Sequence, residues 1–166
     1  YFAVTAPGLE PFTARELHDL GLLPDPAWQA VSPGGVTFKG DRIALQRANL
    51  HLRTATRILA RLGSFFYATT FAELRERASR LPWERFITPG QPVSLRVTCH
   101  QSKLIHSDGV ARTVLSAMEA RLGQPSPLLK TNERVEGHPP QLIIVRIAED
   151  KCTISSLDRI GDPAWD

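Results

Sequence analysis

The sequence predicts an α+β protein in two parts, ordered β-α-β-β-α-β and then α-α-β-α-β-β. Three observations carry this. The apolar period switches repeatedly between 2 and about 3.6 residues along the chain. Each switch is marked by Pro, Gly, Asp or Thr where a turn or a helix start requires it. One long aperiodic interruption, GQPSPLLKTNERVEGHPP at 123–140, reads as a Pro-rich loop.

In the first part, YFAVTAPG reads as a strand with Phe2 and Val4 on one side, closed by a Pro-Gly turn. GLEPFTARELHDLG follows as an amphipathic helix with Leu9, Phe12, Leu17 and Leu20 as its apolar stripe, and Gly21 as its stop. WQAVSPGGVTFKG reads as a hairpin turning at Ser32-Pro33-Gly34-Gly35, with Val36 and Phe38 inward. Asp41 caps the helix DRIALQRANLHLRTA, which sends Ile43, Ala48, Leu52 and Ala55 to the core. In RILARLGSFFYA, Ile58, Ala60 and Leu62 alternate with Leu59 and Arg61. The order is the split-βαβ, ferredoxin-like βαββαβ arrangement, an antiparallel sheet with two helices on one face.

In the second part, Thr70 and Glu73 have capping-box spacing ahead of FAELRERASRL, whose apolar face is Phe71, Leu74, Ala78 and Leu81. Arg75, Arg77 and Arg80 point elsewhere on that helix. Pro82 opens a short helical turn, PWERF, with Trp83 and Phe86 as core anchors. Pro89-Gly90 leads into a strand at 93–99, where Val93, Leu95, Val97 and Cys99 alternate with polar residues. A helix follows to about Leu122, with Val110, Val114, Leu115, Met118 and Leu122 at helical spacing. QLIIVRIAE is apolar on both faces from Leu142 to Ile147, as a central strand would be, and Glu149-Asp150 turns it into a last strand, KCTISSL.

Between that alternating strand and that helix lies a dense polar set: His100, Ser102, Lys103, His106, Ser107 and Asp108. A helix N-terminus has unpaired N–H groups and a positive dipole end, so it is a reasonable phosphate seat. The competing reading is a polar surface loop with Ser107 or Asp108 as an ordinary N-cap.

Composition narrows the class. The chain has 166 residues, 42% apolar and 22% charged, enough for one ordinary domain or two small ones with a real core. No run approaches the roughly 18 apolar residues of a membrane helix, and no signal peptide opens the chain. It begins at Tyr1 rather than Met, which suits a piece of a longer protein. Cys99 and Cys152 both fall in strand-like segments, with no CxxC and no zinc spacing, so two free thiols in a reducing compartment, the cytoplasm, are expected. The net charge of +3 is unevenly spread. Residues 1–41 carry two Lys/Arg against five Asp/Glu, residues 42–112 twelve against four, and residues 113–166 six against eight. An Arg-rich centre suits nucleic acid, since guanidinium forks grip phosphate and stack on bases. A solvated basic surface is the alternative.

Most catalytic motifs are missing. GGVTFKGD lacks the P-loop order, and hairpin turns account for its glycines. His18, His51 and His138 are isolated, and no GxSxG elbow or paired acid suggests a triad. The tail DPAW (162–165) has some likeness to the D/N-P-P-Y/F/W loop of amine methylases, but Ala164 replaces the second Pro and no glycine-rich cofactor loop precedes it. No catalytic residue, cofactor site or metal ligand is predicted.

The element order and the strings GLEPFTARELHDLG, GGVTFKGD, ANLHLRTATRIL, SKLIHSDGV and CTISSLDRIGD span nearly the whole chain. By these strings it resembles the N-terminal region of bacterial and archaeal THUMP-containing RNA methyltransferases, which modify the exocyclic amine of guanine in ribosomal or transfer RNA. The resemblance implies a ferredoxin-like domain over 1–66, a THUMP RNA-binding domain (ααβαββ) over 67–157, and at 158–166 the start of a linker to a methyltransferase domain absent from this chain. S-adenosylmethionine is expected in that missing domain and not in this one. The implied partner is structured RNA, with no membrane and no DNA, and the oligomeric state is left open. The resemblance places RNA contact at Lys103, His106 and Ser107, with Ser102 in the same string, and with Arg112 and Arg96 extending the patch. Lys103 would meet a phosphate, Ser107 and nearby N–H groups would donate to phosphate or ribose, and His106 would stack or donate. Arg53 and Arg57 either carry the basic surface onto the first domain or salt-link to its acidic first helix. The competing functions are a THUMP unit of a thiouridine synthase and a protein-interaction scaffold.

Overall fold

The structure is a computed structural model that describes residues 1–133, 135 and 140–157. His138, the 162–165 string and the 158–166 segment read as linker lie outside them. Two compact units divide the chain, Tyr1–Ala60 and the residues from Arg61 onward.

The first unit runs β1 (Phe2–Thr5), α1 (Glu10–Asp19), a 3-10 turn (Ala27–Ala30), β2 (Val31–Ser32), β3 (Gly35–Thr37), α2 (Arg42–His51) and β4 (Ala55–Arg61). Its strands lie in the order β2-β3-β1-β4, and every neighbouring pair is antiparallel. This is the ferredoxin-like arrangement. Ala3 stands opposite Val36 on one side and Ile58 on the other, and all three are buried. The hairpin turns where expected, although Trp28 lies in the 3-10 turn and not in a strand. A Cβ on Gly35 would come within 2.2 Å of the Ala3 carbonyl oxygen and 2.7 Å of the Phe2 ring, so strand packing requires glycine there.

Both helices of this unit bury a different stripe from the one their sequences suggest. α1 buries Thr13, Ala14 and Leu17, leaving Phe12 59% exposed. α2 buries Ala44, Leu45 and Ala48, leaving Ile43 65% exposed. Each helix is ten residues long, and the stripe it buries holds small side chains, Thr13 and Ala14 in α1 and Ala44 and Ala48 in α2. The Thr13 and Thr54 hydroxyls meet at 2.6 Å beneath α1. Asp41 caps α2 as predicted, its carboxylate accepting the Ala44 N–H at 2.8 Å.

The second unit runs β5 (Phe66–Tyr67), α3 (Phe71–Ser79), a 3-10 turn (Trp83–Arg85), β6 (Val93–His100), α4 (Ser107–Leu122), β7 (Gln141–Ala148) and β8 (Lys151–Leu157). β6 and β7 are parallel, β7 and β8 antiparallel, and β5 pairs with the start of β8. At the head of α3, the Thr70 hydroxyl accepts the Glu73 N–H. The Glu73 carboxylate reaches one residue further back than a standard capping box, to the N–H and hydroxyl of Thr69. Trp83 is fully buried with its indole N–H on the Ala78 carbonyl at 2.7 Å, alongside Leu74, Val114, Met118, Ile143 and Ile147. The aromatic anchors the core and still satisfies its one donor. β7 departs from the prediction in one respect. Leu142, Ile143, Val145 and Ile147 are buried, but Arg146 is exposed, so the later half of β7 has one open face. Part of the Pro-rich loop is also tied down, since Val93 donates to Pro127 and Leu129 donates to Val93, both at 2.9 Å. Cys152 is buried and Cys99 half-buried, both as free thiols, and both flank Ile147 on the core face.

Candidate nucleic-acid interface

Residues 101–106 join β6 to α4, and a side chain from a distant turn shapes them. β7 and β8 are linked by Glu149 and Asp150 alone, with φ of 52° and 63°. A two-residue hairpin turn with both residues left-handed favours Asp and matches strand twist. From this turn Asp150 Oδ1 accepts the Ser102 hydroxyl at 2.9 Å and the Lys103 backbone N–H at 2.8 Å. The Ser102 oxygen in turn accepts the Leu104 N–H, and Glu149 N–H donates to the His100 carbonyl. The Lys103 N–H, then the Ser102 hydroxyl, hold the Asp150 carboxyl below the ordinary aspartate range. Leu104 is buried and pins the loop, while Lys103, Ile105, His106 and Ser107 are exposed around it.

The N-cap of α4 is His106, neither Ser107 nor Asp108. Its backbone is extended, and no side chain caps the helix. Ser107 and Asp108 are the first two helical residues because Asp150, by fixing Ser102 and Lys103, sets where the helix begins. The first-turn N–H groups therefore meet no capping oxygen, and the exposed Lys103 and His106 lie just before them. Asp108 places its carboxylate in that turn, which suits the helix dipole and opposes an anion. Gly109 packs α4 against α3, since a Cβ there would come within 2.9 Å of the Phe71 ring.

The structure gathers some of the predicted residues and separates others. Lys103, His106 and Ser107 cluster at the α4 start, with Arg112 exposed on the helix beyond them. Ser102 is engaged in holding the loop. Arg96 is exposed on β6, but its neighbours Leu95 and Val97 face the core that α4 covers, so Arg96 projects from the opposite side of the sheet. Arg53 and Arg57 belong to the first unit, Arg53 exposed just before β4 and Arg57 exposed within it. Glu16 of α1 binds the Arg53 backbone N–H and not its guanidinium, together with the N–H and hydroxyl of Thr54. Asp150 is the residue sequence reasoning missed. Its partners lie 47 and 48 residues away, and only its place in a two-residue turn hinted at a special conformation.

Among the described residues, no group of three or more His, Cys, Asp and Glu could hold a metal ion, and no helix is long and apolar enough to cross a membrane.

Comparison with known proteins gives the same division. Residues 1–59 match the RlmL ferredoxin-like domain and residues 68–157 the THUMP domain. The chain is 30% identical over 164 residues to slr0064 of Synechocystis, an RNA methyltransferase by provisional name, covering 97% of this chain and 40% of that protein. It is 33% identical over 118 residues to the ribosomal RNA large subunit methyltransferase K/L of Methylococcus capsulatus, covering 71% of this chain and 15% of that one. The crystal structure of a possible methylase from Clostridium difficile 630 superposes with a TM-score of 0.73 at 29% identity, over 94% of this chain and 40% of that one. The chain thus spans less than half the length of each of these relatives. With more than half of its residues matched by one domain, it belongs to the THUMP domain family, and an RlmL-type ferredoxin-like domain precedes its THUMP domain.

Proposed function

We propose that this chain is the RNA-binding targeting module of an S-adenosylmethionine-dependent RNA methyltransferase, acting on a guanine exocyclic amine in a catalytic domain outside these residues. The observation that carries the reading is the start of α4. A loop pinned by Asp150 presents exposed Lys103, His106 and Ser107 beside helix N–H groups that no side chain caps. That is a built phosphate seat with a neighbouring cation and a neighbouring ring, which suits structured RNA. Arg112 extends the surface along α4. The names of the relatives support an RNA methyltransferase, and the K/L name favours ribosomal over transfer RNA. The proposed domains are 1–66 and 67–157, with a linker from 158, and the proposed compartment is the cytoplasm.

The glycines of GGVTFKGD do not suit the methyl donor. Those glycines serve the β2–β3 turn, the close approach of Gly35 to Ala3 and Phe2, and that of Gly40 to Ala44. The cofactor is therefore assigned to the catalytic domain.

The test is a titration of the chain against a ribosomal RNA hairpin pool, total transfer RNA and duplex DNA at two salt concentrations. Salt-sensitive binding that prefers structured RNA is expected. Equal binding to DNA, or none at low salt, would turn the reading toward a protein-interaction scaffold.

A further inference from the structure

The open face of the second unit's sheet carries side chains that neither the core nor the α4 site uses. Register sets them in rows. Tyr67 stands opposite Lys151, Lys151 opposite Ala148, and Ala148 opposite His100. One step along, Thr153 faces Arg146 and Arg146 faces Thr98; a further step sets Ile144 beside Arg96. Paired residues project to the same side, and alternate ones point the other way. Val97, Cys99, Val145, Ile147 and Cys152 thus enter the core with the helices, while Arg96, His100, Arg146, Lys151 and Tyr67 share the open face and are exposed.

Phe65 joins this face from just before β5. Its ring meets Tyr67 edge-on at 6.0 Å, and the Lys151 ammonium sits 3.9 Å from its centroid. Phe66, between them, is the one that packs against the core. Two aromatics, 49% and 60% exposed, therefore flank a lysine at the head of a basic sheet. Among the described residues no carboxylate pairs with Arg96, Arg146 or Lys151. Burial, then the charge of Arg146, lowers the Arg61 pKa, as like charges gathered on one surface should. Glu149 bounds the face at the hairpin tip, and Lys151, Arg146 and Arg96 lie across β8, β7 and β6 in turn.

We propose that this face binds an unpaired stretch of RNA, with bases stacking on Phe65 and Tyr67 and phosphates crossing Lys151, Arg146 and Arg96. Exposed rings beside a line of cations are the means by which proteins hold single strands, whose base faces are free; a duplex hides those faces. An acidic peptide would satisfy the cations but would leave the rings without a planar partner. The proposal rests on the RNA-binding reading and adds to it a second surface, on the side of the sheet away from α4.

The experiment uses the full chain and one RNA hairpin, made with and without a single-stranded tail, followed by fluorescence anisotropy. The tailed hairpin is expected to bind more tightly. Phe65→Ala with Tyr67→Ala should cost about tenfold in affinity for the tailed RNA and stay within about twofold on the blunt one. Tyr67→Phe should keep the affinity. Arg146→Gln should lower the salt slope on the tailed RNA by about 1. Lys103→Ala should weaken both RNAs alike. If the unsubstituted chain binds RNA but the double variant, with an unchanged melting temperature, binds the tailed hairpin as well as before, this proposal alone is overturned. If the unsubstituted chain binds neither RNA, the RNA-binding reading falls with it.

Discussion

In the first unit, carboxylates turn inward onto the backbone. Glu10 takes the N–H groups of Gly8 and Gly34, and its own backbone N–H, then those of Gly34 and Gly8, hold its carboxyl low; Glu16 takes the N–H groups of Arg53 and Thr54 with the Thr54 hydroxyl. The second unit has eight-residue strands β6 and β7 over a core that includes Trp83, Met118 and Ile143, and among the described residues Arg96, Arg146 and Lys151 on its sheet face pair with no carboxylate. The first unit has short strands and several alanines at its centre, so it has less apolar area to bury, and polar ties between loops make up part of the difference.

The sharpest way to break the comparison is Trp83→Ala. It removes the largest buried side chain of the second unit and should cost about 3–5 kcal/mol in a urea titration. A loss below 1 kcal/mol, on the order of a surface change, would mean that this core is not what holds the unit. Next comes Glu16→Ala, which leaves three donors without their acceptor and should cost about 1–3 kcal/mol. An unchanged stability would make the first unit's polar ties incidental.

Lys103→Ala tests the ligand side of the contrast. RNA affinity should fall several-fold for all structured RNAs alike, with a salt slope reduced by about 1, and stability should not change. Identical binding at low and moderate salt would remove Lys103 from the surface. For Asp150 the sign follows from its lowered pKa. The loop tie is complete above the ordinary aspartate value of about 3.9 and is lost only as pH falls through the lower folded value. The Lys103 amide should therefore show no titration step between about pH 5 and 8 in an NMR series; a step near pH 6 would point to a histidine instead. The smallest effect concerns the thiols. Burial, with Cys99 nearby, pushes the Cys152 thiol up to about 12, so the folded chain should resist alkylation there at neutral pH, while the denatured chain reacts. Fast labelling of native Cys152 would show that the core opens readily.

Much of this was legible in the sequence where the signal is local. Asp41 and Thr70 cap the helices their spacing announces, and the β6–α4 switch at 93–122 falls within a residue of its predicted place. Failures arose where tertiary packing chose among equivalent patterns. α1 and α2 each offer two plausible stripes, and the buried one carries Ala14 or Ala44 while Phe12 and Ile43 stay exposed. The polar loop was visible as a candidate site, but its cap was not, since the residue that decides it comes from the β7–β8 turn. Arg146 was hidden within an apolar run until pairing with Thr98 and Thr153 fixed its face.

The Asp150 tie also orders events during synthesis. The 101–106 loop and α4 leave the ribosome well before residues 149 and 150, yet the loop takes its shape from that later turn. A nascent chain that ends before the hairpin holds the helix and the lysine without the geometry that aligns them. The proposed RNA surface at the α4 start is thus completed only once β8 has folded back beside β7.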